Sequence, residues 1–221
     1  YLVISIVVCF VGSFNINLST CLKVTSSRAA MKRTTLLMKA VELSDVEMTR
    51  FLIEECDADV NQPCPRGFRP LYAAIKMVSG SYLCNLVNPH KYITEVTLPI
   101  VTMLLEHGAD PNGEVPVDDF KLGSVCESND MRMVTTALGQ AICCAIKYKD
   151  DQTVNKGILK LLGVLCDNGG NPVYQCFIEK EFIKEGRSCM FKFILFEYAL
   201  EACNFETVVF LMKYINFADI K

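Results

Sequence analysis

The chemistry open to this sequence is narrowed first by what it has little of. It holds only two histidines, His90 and His107, and neither has a thiol at the spacing of a zinc site. No two cysteines are arranged C-x-x-C, and there is no P-loop, no G-x-S-x-G and no H-E-x-x-H. The motifs that announce phosphoryl transfer, acyl transfer and zinc-assisted hydrolysis are therefore missing. An excess of one charge is missing as well: 22 Lys and Arg stand against 25 Asp and Glu, a formal net charge of -3. That is too near balance for a surface that tracks a phosphate backbone, so nucleic acid is not an expected partner. No cofactor and no structural metal are called for.

A long apolar run is also lacking. From Leu2 to Phe14 the chain is uncharged and mostly apolar, and its first charge is Lys23. The run falls short of the roughly 20 residues that cross a bilayer and suits a signal-peptide core. Three readings of residues 1–30 stay open. They are the end of a transmembrane helix; or a signal peptide without its basic start, in which case Asn17-Leu18-Ser19 is a weak glycosylation sequon; or sequence outside the native protein, with Met31 as the true start. The third is favoured, because MKRTTLLMKAVE opens repeat-like sequence at once and disulfide-free helical stacks belong mainly to reducing compartments.

What is abundant is apolar residues, 51% of 221, enough for a continuous core. The cysteines, 12 in all, are scattered, and most lie inside apolar helical runs. They read as reduced thiols in or near the core of a cytoplasmic protein. The adjacent pair Cys143-Cys144 extends the apolar face that begins Ala141-Ile142, so packing explains it better than redox chemistry does.

One two-part pattern recurs: a short helix with small residues on one face, then an aliphatic helix that ends in a polar turn. The first copy runs Thr35 to Val41, Val46 to Ile53, then Asp57-Ala58-Asp59-Val60-Asn61. The second opens Arg69-Pro70-Leu71-Tyr72-Ala73-Ala74-Ile75 and closes Pro99 to Leu105, then Glu106-His107-Gly108-Ala109-Asp110-Pro111-Asn112. A looser third runs Thr136 to Ile142, Ile158 to Leu165, and Asn168-Gly169-Gly170-Asn171-Pro172; a fourth runs Ile194 to Ala202, Phe205 to Met212, and Phe217-Ala218-Asp219. These segments resemble the ankyrin repeat, whose pattern is T-P-L-H-x-A, an aliphatic helix, then G-A-D-x-N before a β-turn finger. Leu37 and Leu71 are spaced within one residue of its period of about 33. Gly108 supplies the left-handed residue that ends a helix, and Asp110 and Asn112 suit the turn that follows.

The resemblance implies an all-α, ankyrin-type helix-turn-helix solenoid with long loop insertions. The expected division is an apolar segment at 1–30 and a repeat domain at 31–221, with repeats near 34–66, 67–133, 134–192 and 193–221. Copies two and three are stretched, and the fingers at 113–134 and 171–194 are long, which a surface loop tolerates at about 0.6 kcal/mol per doubling of length. The chain departs from the family after the motif leucine, where a histidine usually bonds back to the threonine of its turn. Here Met38, Tyr72, Gly139 and Glu197 stand instead, which predicts loosely fixed inner-helix starts, above all at Gly139. His107 reads as part of the turn motif and His90 as a residue of a surface loop.

The function implied is that of a protein-protein interaction scaffold without catalysis. The alternative is a membrane-tethered or regulatory segment of a larger enzyme or channel, with a membrane contact only if residues 2–14 are native and retained. The resemblance places partners on the fingers and on the concave face of the first helices. In the second finger Glu114, Asp118, Asp119, Glu127 and Asp130 outweigh Lys121 and Arg132, and its balance equals the whole chain's net charge of -3. That concentration suits a basic partner, although a solvated loop is also charged. The aromatic candidates are Tyr72 on an inner helix and Tyr82 and Tyr92 in the insertion at 77–98, which either packs on the stack or offers an apolar patch. The last helix is crowded with apolar residues where a terminal repeat usually carries a polar outer face. The expectation there is a longer natural chain, or a covering partner or second copy.

Overall fold

The computed structural model describes residues 20–21, 33–79, 88–117, 131–182, 187–201 and 205–215. Its helix pairs begin where short polar side chains close off their first turns. Thr35 caps α1 (Leu36–Glu42), its hydroxyl accepting from the Met38 N–H at 3.0 Å, and Asp45 caps α2 (Val46–Glu54) through Met48 N–H. Between them Ser44 takes a left-handed φ of 57°, and Ser44 and Asp45 N–H groups bond back to the end of α1. The third pair repeats the scheme: Thr136 caps α6 (Ala137–Lys147), and Asp151 caps α7 (Gln152–Asp167). These caps, each typically about 1 kcal/mol, fix the inner-helix starts without the family histidine. Thr35 and Thr136 make these bonds although Met38 and Gly139 stand where the family has its histidine.

The second pair is α3 (Pro70–Ser79) and α5 (Leu98–Glu106). Ahead of α5 come α4 (Pro89–Tyr92), capped by Asn88, and a π-helical turn at Ile93–Thr97. Pro99 has no N–H to give and its ring crowds the carbonyl four residues back, and the helix widens just before it, with Leu98 N–H reaching Ile93 O. Much of the expected insertion is thus an extension of the outer helix. Ile93 is fully buried, and Tyr92 and Val96 pack against the core. His90 accordingly sits in helix rather than loop. The fourth pair is α8 (Leu195–Glu201) and α9 (Phe205–Leu211), followed by a 3-10 turn at Met212–Tyr214.

The inner helices α1, α3, α6 and α8 pack in sequence order as one row, and the outer helices α2, α5 and α7 as a second. The third and fourth repeats are joined by Asn155 Nδ2 on Glu206 Oε2 at 2.7 Å. The motif leucines Leu37, Leu71 and Leu138, with Phe196 at the fourth equivalent position, are all buried. At Gly139, where Leu195 of α8 packs on α6, a Cβ would meet Thr135 Oγ1 and come within 2.9 Å of Leu195 Cδ2. The glycine's lack of a side chain serves packing between repeats.

The fingers differ from the expected loops. β3 (Val115–Val117), β4 (Met131–Thr135), β5 (Gln175–Phe182) and β6 (Arg187–Ile194) form an antiparallel sheet in that order. The second and third fingers are therefore hairpins that pair with each other through β4 and β5. A short antiparallel pair, β1 (Thr20–Cys21) with β2 (Arg33–Thr34), crosses the boundary drawn at residue 30. The rest of the apolar N-terminal segment lies outside the described residues.

Candidate protein-binding surface

The polar turns that end the outer helices tie one repeat to the next. Each turn has a left-handed residue, Asp57, Gly108 or Gly169, and then an N–H that returns to the helix: Ala58 to Leu52 O, Ala109 to Leu104 O and Gly170 to Leu165 O. Asn61 then donates its side-chain amide to Gly108 O at 2.8 Å and accepts from Asp110 N–H at 2.9 Å. One repeat on, Asn112 donates to Gly169 O at 2.8 Å and accepts from Asn171 N–H at 2.9 Å. Within each turn the carboxylate or amide oxygen of Asp59, Asp110 or Asn171 accepts the N–H two residues on. The same atoms make the same bonds at successive repeats, which only a translationally repeated unit does. The fold is an ankyrin-type repeat stack.

No family model matches the chain, and no curated protein matches it. Among solved structures it is similar to the 1.00 Å crystal structure of an ankyrin repeat domain from Acinetobacter baumannii AYE. The two are 18% identical over 87% of each chain, with a TM-score of 0.38. A likeness that loose carries no weight of its own, and the ladder of Asn61 and Asn112 carries the repetition of the unit.

The repeat stack distributes the candidate residues unevenly. Glu114 is exposed at the base of the second finger, where its carboxylate accepts from the Tyr174 hydroxyl of the third. Asp118, Asp119, Lys121 and Tyr82 lie outside the described residues. Tyr92 is half-buried, and its hydroxyl shares a hydrogen bond with Ser44 Oγ, which ties the π-turn region to the first repeat. Tyr72 corrects the expectation of a contact residue: it is 1% exposed, its hydroxyl donates to Gln140 Oε1 at 3.2 Å, and its ring stacks on Phe68. A ring enclosed between α3 and α6 has no face left for a partner.

Sequence reasoning missed a cluster at the tip and base of the first finger. Gly67, with φ 81°, turns the chain, and Cys64 N–H closes the loop on Phe68 O. Phe68 then lies under two cations, Arg66 at 4.9 Å and Lys76 at 4.4 Å from the ring centroid. Lys76 comes from the inner helix α3, so the finger and the inner helices share one surface. The short run Arg66-Gly67-Phe68-Arg69 was the available signal, but its meaning depends on where α3 puts Lys76.

The thiols are placed for packing. Cys56, Cys64, Cys143, Cys144 and Cys166 form no disulfides. Burial pushes the Cys144 thiol up to about 12, with the Gln140 hydrogen bond and Lys147 acting weakly against it. Cys166 is likewise pushed up to about 12, by burial and then by Asp167. Neutral thiols at physiological pH are poor nucleophiles. Among the described residues no three His, Cys, Asp or Glu side chains are grouped to hold a metal ion, and no helix is long and apolar enough to cross a membrane.

Proposed function

We propose that the chain is a non-catalytic, protein-binding scaffold whose partner docks along the inner helices and the fingers. The observation that carries this reading is the asparagine ladder. It holds successive fingers at fixed offsets, so groups such as Glu114 and the Arg66-Phe68-Lys76 cluster are presented on a rigid support, and little ordering entropy is left for binding to overcome. Within that surface the second finger, through Glu114, Asp118 and Asp119, receives a basic segment of the partner. Burial of Cys64, Cys144 and Cys166 as free thiols supports a reducing compartment such as the cytoplasm.

Affinity capture with the full chain, repeated with Asp118→Lys/Asp119→Lys, tests the reading. The expected result is a protein held in stoichiometric amount by the wild type, bound about tenfold more weakly by the reversed finger and more weakly at high salt. Equal capture by both chains would overturn the acidic finger. The absence of any specifically held protein would overturn the scaffold itself.

A further inference from the structure

The four-stranded sheet of the fingers has two unlike edges. β3 spans only Val115–Val117 and has Pro116 at its centre, a short and blunted edge of the kind that discourages pairing. β6 is its opposite: eight residues, Arg187–Ile194, with no proline and a one-to-one register against β5 from Gln175↔Ile194 to Phe182↔Arg187, so no bulge interrupts it. Among the described residues no strand pairs with its far side. Half of its backbone N–H and C=O groups face that side, because antiparallel strands alternate the direction of their hydrogen bonds.

We propose that β6 is a self-association edge, pairing antiparallel with β6 of a second copy across a twofold axis to give a continuous eight-stranded sheet. The register within one copy points to this occupant. Val117, Met133, Ile178 and Phe191 fall in a single row across the four strands. A twofold axis normal to the sheet leaves each face on its own side, so residues of β6 meet residues of like parity in the other copy. Centred on Phe191, the axis sets Phe191 opposite itself and Cys189 opposite Phe193, which runs the apolar row without a break through both copies. Lys192 then falls opposite Met190, and Arg187 lies beyond the paired stretch, so no like charges meet. Centring on Met190 instead would set Phe191 opposite Cys189, whose own partner in β5 is Lys180, so the row would break there, and would place Arg187 opposite Phe193.

The register supplies the test. Met190 stands opposite Glu179 within its own hairpin and opposite Lys192 of the second copy. Met190→Lys therefore suits the hairpin and opposes the dimer, whereas Met190→Glu does the reverse, so a fault in folding and a fault in association run in opposite directions. Sedimentation velocity of the full chain, from low to high micromolar concentration, reads the outcome. The expected result is a concentration-dependent dimer, loosened about fivefold by Met190→Lys and tightened by a similar factor by Met190→Glu, with two symmetric cross-strand pairs acting together. A wild type that stays monomeric, even one that captures an extended peptide, would overturn the proposal. So would a dimer that Met190→Lys leaves unchanged or that both variants loosen alike.

Discussion

A single atom more or less decides several positions in this stack. On helix propensity alone Gly139→Ala gains about 1 kcal/mol, but its Cβ would strike Thr135 Oγ1 and Leu195 Cδ2 where the third and fourth repeats meet. Overpacking of this kind costs about 1–3 kcal/mol, so the expected outcome is a net loss of stability in urea denaturation. The sequence offered only the propensity half of that balance, because the clashes are with Thr135, which β4 sets beside the start of α6, and with Leu195, more than fifty positions away. Tyr72 is hidden for the same reason: its burial depends on Gln140 in the next repeat. The buried thiols give a second test. Cys144 and Cys166 keep their protons in the folded chain up to about pH 12 but lose them near pH 9 once unfolded. Above pH 9 the unfolded state therefore holds fewer protons, and stability that is complete below pH 9 is lost as pH rises towards 12. Thermal melts at pH 8 and pH 11 are expected to differ less for Cys144→Ala/Cys166→Ala than for the wild type.

At the scale of the element, the helices were legible and the strands were not. Thr35, Asp45, Thr136 and Asp151 mark helix starts through bonds that span two or three residues, and such local chemistry can be read along the chain. The hairpins were missed because β6, with consecutive apolar residues at Cys189-Met190-Phe191, shows no clean alternation, and its register is set by β5, which is in turn set by β4 from another repeat. The insertion ahead of α5 shows the same dependence. Whether residues 88–97 pack or protrude is decided by Ile93 meeting Gly157 of α7, whose missing side chain leaves room for it. Ile93→Ala is expected to cost about 2–5 kcal/mol in chemical denaturation, as for a core residue, and a loss under about 0.5 kcal/mol would show that the segment is not part of the core.

Among the described residues the stack has a well-joined middle and a more exposed last repeat. Val41, Ile75 and Ile142, one turn beyond the motif position, are buried, whereas Leu200 at the equivalent place in the fourth repeat is 48% exposed and Phe205 nearby is 78% exposed. In a one-dimensional stack each face is covered by its neighbour, so exposure concentrates where the described neighbours run out. What joins the middle is the pair of asparagines, and amide hydrogen exchange of Asp110 and Asn171 measures them most directly. Both residues are exposed turn residues, and their N–H groups would exchange quickly unless Asn61 and Asn112 of the preceding repeats hold them. The stack predicts at least about tenfold protection of both amides, lost at Asp110 alone in Asn61→Ala and at Asn171 alone in Asn112→Ala. Exchange of both amides at the rate of an unstructured loop in the wild type would contradict it.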